Sequence, residues 1–283
     1  MSLSIDITKT KKLFLNSIPK SGTHLLTGLI QQLGFTHSGL IVSASTADES
    51  PAVDSELLVG ISSPARINVD YFSSIISKID SNSFHYGHVP YSDQLHEALE
   101  KFDFAMILMF RDPRAVALSL VNYVLRLPEH PYLEYFASLK TLDEQIKSVA
   151  LGTAHPFDGT KPLFLPLNEW YDSVMGWINY PKVHFISYEN MVGEKGGGNQ
   201  RTQRDALLKL AQFLDLALNV DQIRNLQSTV FDPTSSTFHS GQIDSWQTLM
   251  SDELVSYFNE HAAHALACYS KLKTIDTDLN QLA

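Results

Sequence analysis

LFLNSIPKSGTHLLTGLIQQLG, at residues 13–34, is the stretch that decides the fold of this chain. Its first three residues are an apolar run of the kind that forms a buried strand. Turn-forming residues interrupt the apolar pattern at 19–23, and leucine and isoleucine then recur from 25 to 33 with helical spacing. The stretch therefore predicts a strand, a short turn and a helix in direct succession.

The turn between this strand and this helix has the composition of an anion-binding loop. The free N–H groups of the first helical turn, from Ser21 to His24, are expected to point at one place, where the helix dipole adds partial positive charge. Lys20 supplies a full charge, and Gly22 is expected to let the backbone approach a ligand closely. The lysine precedes the only glycine, the reverse of the common P-loop order. The alternative is an ordinary connection that carries a lysine by chance.

A second stretch, FAMILMFRDPRAVALSL at residues 104–120, repeats the same plan. An apolar run predicts a strand, and Pro113 suits the first turn of the helix that follows. Arg111 comes at the carboxyl end of the strand, where ligands of open α/β sheets bind, and Ser119 lies two helical turns later. An alternative stays open, in which Asp112 caps the helix and the arginines are solvated or paired with it.

Together the two stretches resemble the sulfotransferases that use 3′-phosphoadenosine 5′-phosphosulfate (PAPS). In that family a Pro-Lys-Ser-Gly-Thr loop holds the 5′-phosphosulfate, and an Arg-x-Pro-Arg segment with a later serine holds the 3′-phosphate. The resemblance continues in FHYGHVP at 84–90, in the segment 170–191, and in Gly241 and Trp246. It implies that Lys20, Ser21, Gly22, Thr23 and His24 bind the 5′ side of the nucleotide, and that Arg111 and Ser119 bind its 3′-phosphate.

The resemblance also implies which residues carry the chemistry. His88 takes the place of the family's catalytic base, and an imidazole suits that role because it titrates near neutral pH. Lys20 would stabilise the charge that develops on the departing oxygen. His85 lies three residues from His88 on the same strand, so its side chain is expected on the opposite face. His24 either lines the site or donates to the anion.

The remaining nucleotide contacts are expected near the end of the chain. Tyr188 is expected to contact the nucleotide or brace the site, and Phe231 to stack on adenine, although both residues also suit a buried core. Gly241 keeps the outline of the family's Arg-Lys-Gly, but His239 and Ser240 replace the two cations.

Tyr86 replaces a lysine that usually stands two residues before the catalytic histidine. Both departures remove positive charge from the nucleotide side. They would weaken PAPS binding, require another cation such as Arg114, or mark an inactive chain.

The order of apolar runs predicts alternating strands and helices, hence a P-loop-like, three-layer α/β/α fold with a central parallel sheet in one domain, residues 1–283. Residues 36–66 are expected to form loops, and residues 127–165 to be irregular apart from a helix near 141–150. Residues 193–198 are expected to be flexible and exposed. Single helices are expected over 167–179 and 251–266.

Composition bounds the class of protein without deciding it. The 283 residues are 44% hydrophobic, enough for one large core, and the net charge of −10 argues against a nucleic-acid partner. The single cysteine, Cys268, predicts a reducing compartment. The sequence contains neither an apolar run long enough to span a bilayer nor a signal-peptide pattern at its start. We therefore expect a cytoplasmic protein that acts on a small molecule and has no membrane partner.

Three functions are compatible with the sequence. The first is a PAPS-dependent sulfotransferase that releases 3′-phosphoadenosine 5′-phosphate (PAP) and requires no metal. The second is an inactive relative that binds PAP or PAPS, which the substitutions at His239 and Ser240 suggest. The third is an ATP- and magnesium-dependent phosphotransferase, against which the position of the lysine and the lack of an acidic strand end argue.

Overall fold

The computed structural model describes residues 11–51, 56–154, 162–231 and 241–278. Strands in this part of the chain are short and separated mostly by helices. They are β1 (Lys12–Ser17), β2 (Thr36–Val42), β3 (Glu56–Val59), β4 (Ala65–Asn68), β5 (Ser83–Gly87), β6 (Phe104–Phe110), β7 (Thr153–Ala154), β8 (Pro162–Phe164) and β9 (Val183–Ser187).

The helices follow the strands in the order expected of an α/β protein. They are α1 (Thr23–Gln32), α2 (Ala44–Asp48), α3 (Val69–Ile76), α4 (Asp93–Lys101), α5 (Pro113–Arg126), α6 (Leu133–Ser138), α7 (Leu142–Leu151), α8 (Leu167–Asp172), α9 (Tyr188–Met191), α10 (Gln200–Phe213), α11 (Val220–Thr229), α12 (Ser245–Leu249), α13 (Asp252–His261) and α14 (Ala263–Asp278). Two 3₁₀ turns, Met175–Asn179 and Glu194–Gly196, complete the described part.

Five strands form one parallel sheet in the order β2-β5-β1-β6-β9. In its centre Leu15 of β1 lies beside Tyr86 of β5 and Ile107 of β6. Because the strands are parallel, the segments that follow β1, β5, β6 and β9 all leave from the same edge of the sheet. The topology therefore brings the two anion-binding stretches of the sequence together.

Alternate side chains of the central strands enter two separate cores, as the period of two in a strand requires. Phe14 and Met106 pack on one face with helices that include α3, α4, α5 and α8. Leu15 and Ile107 pack on the other face with α1, α10 and α11. Strand β6 is buried at every position, which explains its unbroken apolar sequence. The predicted three-layer α/β/α fold is confirmed.

The prediction of loops over residues 36–66 is wrong. This region contains β2, α2 and the antiparallel pair β3–β4. Strand β2 escaped detection because it is an edge strand whose side chains are mostly exposed, so its sequence THSGLIV lacks an apolar alternation. Its register with β5 also shifts between His37 and Ile41, which further breaks the pattern.

Four other predictions need correction. Residues 127–165 contain the expected helix, α7, but also α6 and the β7–β8 pair, so this region is less irregular than expected. The helix expected over 167–179 ends at Asp172, and the one expected over 251–266 is two helices that separate at Ala262. In residues 193–198, Gly193 and Gly196 are buried while Glu194, Lys195 and Gly197 are exposed, so the predicted exposure holds for only part of this segment.

Within the described part of the chain, none of the helices combines the length and the apolar character that a membrane crossing requires.

Candidate active site

A cavity of about 800 Å³ opens at the carboxyl edge of the sheet, between the loop after β1 and the segments that follow β5, β6 and β9. The predicted site residues that line it are Lys20, Gly22, Thr23, His24, His88, Arg111, Ser119, Tyr188, Phe231 and Gly241. Ser21 is absent from its wall, and His239 and Ser240 lie outside the described residues. The fold thus collects most of the predicted site around one space.

Ser21 holds the anion loop in place and does not face the cavity, which corrects its predicted role. Its hydroxyl donates to the carbonyl oxygens of Ile18, at 2.6 Å, and of Met109, at 2.9 Å. Its amide also donates to Ile18, at 3.1 Å, so it is not one of the free N–H groups. The amides of Thr23, His24 and Leu25 have no intrahelical acceptor, because they form the first turn of α1; the helical hydrogen bonds begin with the Leu26 amide, which donates to the Gly22 carbonyl oxygen at 3.0 Å.

Lys20 is the charged group of this loop, and it is largely withdrawn from solvent. Its backbone is left-handed, with φ of 66°, a conformation that non-glycine residues adopt mainly at special sites. The ammonium lies 3.5 Å from the centroid of the Tyr123 ring. Burial, together with the nearby cations Arg126 and Arg111, lowers the pKa of Lys20 to about 8. A cation held this way favours the arrival of an anion.

Because the resemblance assigns Lys20 to the 5′ side of the nucleotide, this pKa predicts how nucleotide affinity depends on pH. Lys20 is charged below about pH 8 and neutral above it, so its contribution to PAP affinity should be constant from pH 6 to 7. Above pH 8 it should fall, approaching about tenfold per pH unit. Lys20→Arg should remove this decline, because arginine stays charged. Calorimetric titration at several pH values tests this, and a decline of equal steepness in both proteins would assign the titration to another group.

Gly22 is required by the packing of the loop, a reason that adds to the predicted close approach of a ligand. Its φ of 112° lies in the region that favours glycine. A Cβ atom at this position would lie 2.7 Å from Cδ2 of Tyr188 and 3.0 Å from Sδ of Met109. The missing side chain therefore lets Tyr188 rest directly on the anion loop.

Gly22→Ala should destabilise the protein by about 1–3 kcal/mol, the usual cost of one strained backbone position. Gly28→Ala is the matched control, because a Cβ there has no neighbour within 4 Å and the residue lies inside α1. That substitution should stabilise the protein by about 0.5–1 kcal/mol. Urea unfolding measures both changes, and equal stability of the two variants would contradict the packing argument.

His88 is held in one tautomer by the backbone of β1. Its Nδ1 lies 2.6 Å from the carbonyl oxygen of Ser17, which can only accept, so the proton is on Nδ1 and the lone pair on Nε2. Burial lowers the pKa of His88; the Ser17 contact opposes this shift, and Lys20 and His24 reinforce it. The ring is thereby kept neutral, which is the state that accepts a proton.

Asn16 fixes the segment that carries His88. Its amide group donates to the Val89 carbonyl oxygen at 2.9 Å and accepts from the Val89 amide, also at 2.9 Å. Both hydrogen bonds are buried and join β1 to the residue directly after His88. Sequence reasoning missed Asn16 and Ser17, because the asparagine and serine interrupt an apolar strand without resembling any motif.

His85 lies on the other face of the strand, as predicted. Its ring is fully buried and stacks on Phe14 with centroids 4.4 Å apart. Neither ring nitrogen has a hydrogen-bond partner among the described residues. Burial, assisted by His37, lowers the pKa of His85 to about 3, so the ring stays neutral in the core. It does not line the cavity.

Arg111 and Tyr188 form the second wall of the cavity. The Arg111 side chain is buried, its Nη2 donates to the Gln242 carbonyl oxygen at 2.9 Å, and its guanidinium stacks 4.2 Å from the Tyr188 ring centroid. Its Nε is buried without a hydrogen-bond partner among the described residues. The Tyr188 hydroxyl donates to the Gly241 carbonyl oxygen at 2.7 Å. The unsatisfied Nε suits an anionic ligand, because a buried donor without a partner is costly.

The two arginines after β6 have different partners. Asp112 caps α5 by accepting from the Arg114 amide at 2.8 Å, and it pairs with the Arg114 guanidinium through contacts of 2.9 and 2.6 Å. Arg114 also stacks 3.8 Å from the Trp246 ring. The sequence left open that the arginines are paired with Asp112. This alternative describes Arg114, which does not line the cavity, but it does not describe Arg111.

The cavity wall also contains residues that sequence reasoning did not assign. His130 and Tyr132 follow α5 and line the cavity together with Tyr123. Nδ1 of His130 accepts from the Tyr132 amide at 3.1 Å, so the neutral ring carries its proton on Nε2. Burial and the charge of Lys20 lower the pKa of His130. The only sequence signal was its place in a proline-rich segment beside the predicted site.

Fold and site together define an α/β protein with a central parallel sheet and a cavity at its carboxyl edge that Lys20 and Arg111 line. Residues 10–270 match the family model for the sulfotransferase domain, and the chain therefore belongs to the sulfotransferase family. The expectation of a PAPS-dependent sulfotransferase is confirmed at the level of the family. A search of curated protein sequences finds no significant match.

Two solved structures illustrate the likeness in fold. Mouse sulfotransferase SULT7A1, crystallised with PAP, has 16% identity and a TM-score of 0.64, over 95% of this chain and 89% of that one. Retinol dehydratase, in a complex with retinol and PAP, has 14% identity and a TM-score of 0.56, over 90% of this chain and 81% of that one. At this level of identity the two structures establish the fold.

Proposed function

We propose that this chain transfers a sulfuryl group from PAPS to a hydroxyl or amine of a small-molecule acceptor, with His88 as the general base. Family membership supports the reaction class. The observation that carries the residue assignment is the tautomer of His88, whose Nδ1 is occupied by Ser17 and whose Nε2 remains to accept a proton. A histidine held in this way on the wall of an anion-binding cavity suits proton removal from an acceptor.

The donor would lie across the two walls of the cavity. The 5′-phosphosulfate would be held by Lys20 and the first-turn amides of α1, at Thr23 and His24, and the 3′-phosphate by Arg111 and Ser119. Tyr188 would separate the two anionic groups, since it contacts both Gly22 and Arg111.

The proposal also covers contacts to the adenine and contacts from residues 239–241. Phe231, which lines the cavity, would stack on adenine, and Gly241 would approach the nucleotide. We also propose that His239 and Ser240, which lie outside the described residues, contact the nucleotide. We propose no metal in this assembly, because the donor's negative charge is met by Lys20, Arg111 and a helix terminus. The PAP complexes of both structural neighbours support the choice of nucleotide.

Transfer would then need little covalent chemistry from the protein. The acceptor oxygen or nitrogen attacks sulfur in line while the bond from sulfur to the 5′-phosphate oxygen breaks. His88 Nε2 takes the acceptor's proton, and Lys20 stabilises the negative charge on the departing phosphate oxygen. PAP leaves with that charge, and the sulfated acceptor leaves without its proton.

The acceptor would bind on the side of the cavity formed by aromatic and imidazole groups. Tyr86, Tyr123, His130 and Tyr132 line this part of the wall. Such groups combine apolar faces with hydrogen-bonding tips, which suits a small organic acceptor. We further propose that residues 1–283 form one domain and that the protein works in the cytoplasm, without nucleic-acid or membrane partners.

An inactive nucleotide-binding relative is the second candidate, and Tyr86 supports it. This residue lines the cavity where the family has a lysine, so one positive charge is lost near the transferring group. Incubation with sulfur-labelled PAPS and a panel of phenols, alcohols and amines tests transfer. ATP labelled at its γ-phosphate, with magnesium, is the control donor. Labelled sulfur should pass from PAPS to an acceptor with equal yield in the presence and absence of magnesium, and no label should pass from ATP. Transfer from ATP without transfer from PAPS would overturn the proposal.

A further inference from the structure

Three side chains with metal-binding atoms meet on the packed helices α8 and α14, outside the active-site cavity. They are Asp172, the last residue of α8, and His264 and Cys268, one turn apart on α14. Nε2 of His264 lies 2.8 Å from Oδ1 of Asp172 and 3.6 Å from Sγ of Cys268. The three ligand atoms all lie within 4.8 Å of one another. None of these residues lines the cavity.

We propose that Asp172, His264 and Cys268 bind a zinc ion that fastens the C-terminal helix α14 to α8. Thiolate and imidazole together favour zinc over magnesium or calcium, which prefer oxygen ligands. Two ligand atoms on one tetrahedral zinc lie about 3.5 Å apart, because zinc bonds to them are about 2.0–2.3 Å long. The distance between Nε2 and Sγ already has this value.

The remaining adjustment falls on the two solvent-exposed side chains. The Asp172 and His264 side chains are 66% and 55% exposed, so they can separate by the fraction of an ångström that a shared ion needs. Cys268 is buried, and burial together with Asp172 raises the pKa of its thiol. Metal binding would release the thiol proton and move the imidazole proton from Nε2 to Nδ1, leaving a fourth position for water.

The helices that carry the ligands are already held in register. Asn168, one turn before Asp172 on α8, donates to the His261 carbonyl oxygen at 2.8 Å and accepts from the Ala265 amide at 2.9 Å. These contacts fix the start of α14 beside α8. The ligand set is therefore placed by the backbone before any ion arrives, which lowers the ordering cost of binding.

Cobalt titration of the full chain tests the site, because Cys268 is the only cysteine. After treatment with a chelator and dialysis, a thiolate-to-cobalt charge-transfer band can arise from Cys268 alone. We expect the band to saturate at one cobalt per chain and to disappear on addition of zinc. His264→Gln and Asp172→Asn keep the thiol and alter exposed residues, and each should weaken cobalt binding by about tenfold or more.

His96→Gln is the matched control. Nε2 of His96 lies 4.0 Å from Oε2 of Glu100, so this variant also removes a histidine from a pair with a carboxylate, but Cys268 is not part of that pair. It should leave the cobalt band unchanged. Zinc should also raise the midpoint of thermal unfolding of the parent, but not of His264→Gln. Absence of the band from the parent, or equal cobalt affinity in the parent and His264→Gln, would show that the cluster is only an ion pair beside a buried thiol.

Discussion

His88→Ala is expected to lower kcat by about 100-fold or more while PAP affinity stays within a few-fold of the parent. The reason is geometric: the Ser17 carbonyl holds the ring through Nδ1, and Lys20 and the α1 terminus, not His88, meet the nucleotide in our proposal. Initial rates at saturating PAPS and calorimetric titration with PAP measure the two quantities separately. Near-normal turnover in this variant would remove His88 from the chemistry.

His85→Phe is the matched control for this loss. His85 is on the same strand but stacks on Phe14 in the core, and its ring nitrogens have no hydrogen-bond partners among the described residues. Phenylalanine preserves the stacking and removes two unsatisfied polar atoms, so activity should stay within a few-fold of the parent. A loss as large as that of His88→Ala would mean that this strand tolerates no change.

Arg111→Ala should weaken PAP binding by about 2–4 kcal/mol, the range for a partly buried charge-assisted contact. This corresponds to roughly 30- to 900-fold in the dissociation constant. Its Nε is buried without a partner among the described residues, so a 3′-phosphate would satisfy a donor that is otherwise left unpaired. Adenosine 5′-phosphosulfate, which lacks the 3′-phosphate, should lose far less affinity in the same titration.

Arg114→Ala serves as the control for charge near the same helix. Arg114 is paired with Asp112 and stacked on Trp246, so its removal should affect PAP and adenosine 5′-phosphosulfate alike. Only Arg111→Ala should weaken the binding of PAP more than the binding of adenosine 5′-phosphosulfate. Equal losses for both nucleotides in Arg111→Ala would assign this residue to support of the fold.

The parts of the fold that could be predicted are those with a strong local signal. Strands β1 and β6 are buried apolar runs that end in turn residues, and the helices after them have regular apolar spacing. Strand β2 could not be recognised, because an edge strand needs no apolar face and its pairing partner β5 is more than 40 residues away. Pairing between distant segments leaves no periodicity in the sequence.

The residues of the site likewise divide into those that the sequence could assign and those that it could not. Lys20 and Arg111 could be assigned because each follows a strand, and the topology of a parallel sheet brings such positions together. The inward direction of Ser21 could not, because it depends on a carbonyl oxygen of β6 that lies 88 residues away. His130 could not be assigned either, since its contact with the cavity depends on how the segment after α5 folds back.

A crystal structure of the full chain with PAP is the measurement that tests the proposed site most directly. We predict that the 5′-phosphate lies against Lys20 and the first-turn amides of α1, and that the 3′-phosphate accepts a hydrogen bond from Nε of Arg111. The His88 ring should keep Nε2 facing the empty acceptor side. A nucleotide bound with its 3′-phosphate away from Arg111, or outside this cavity, would contradict the account.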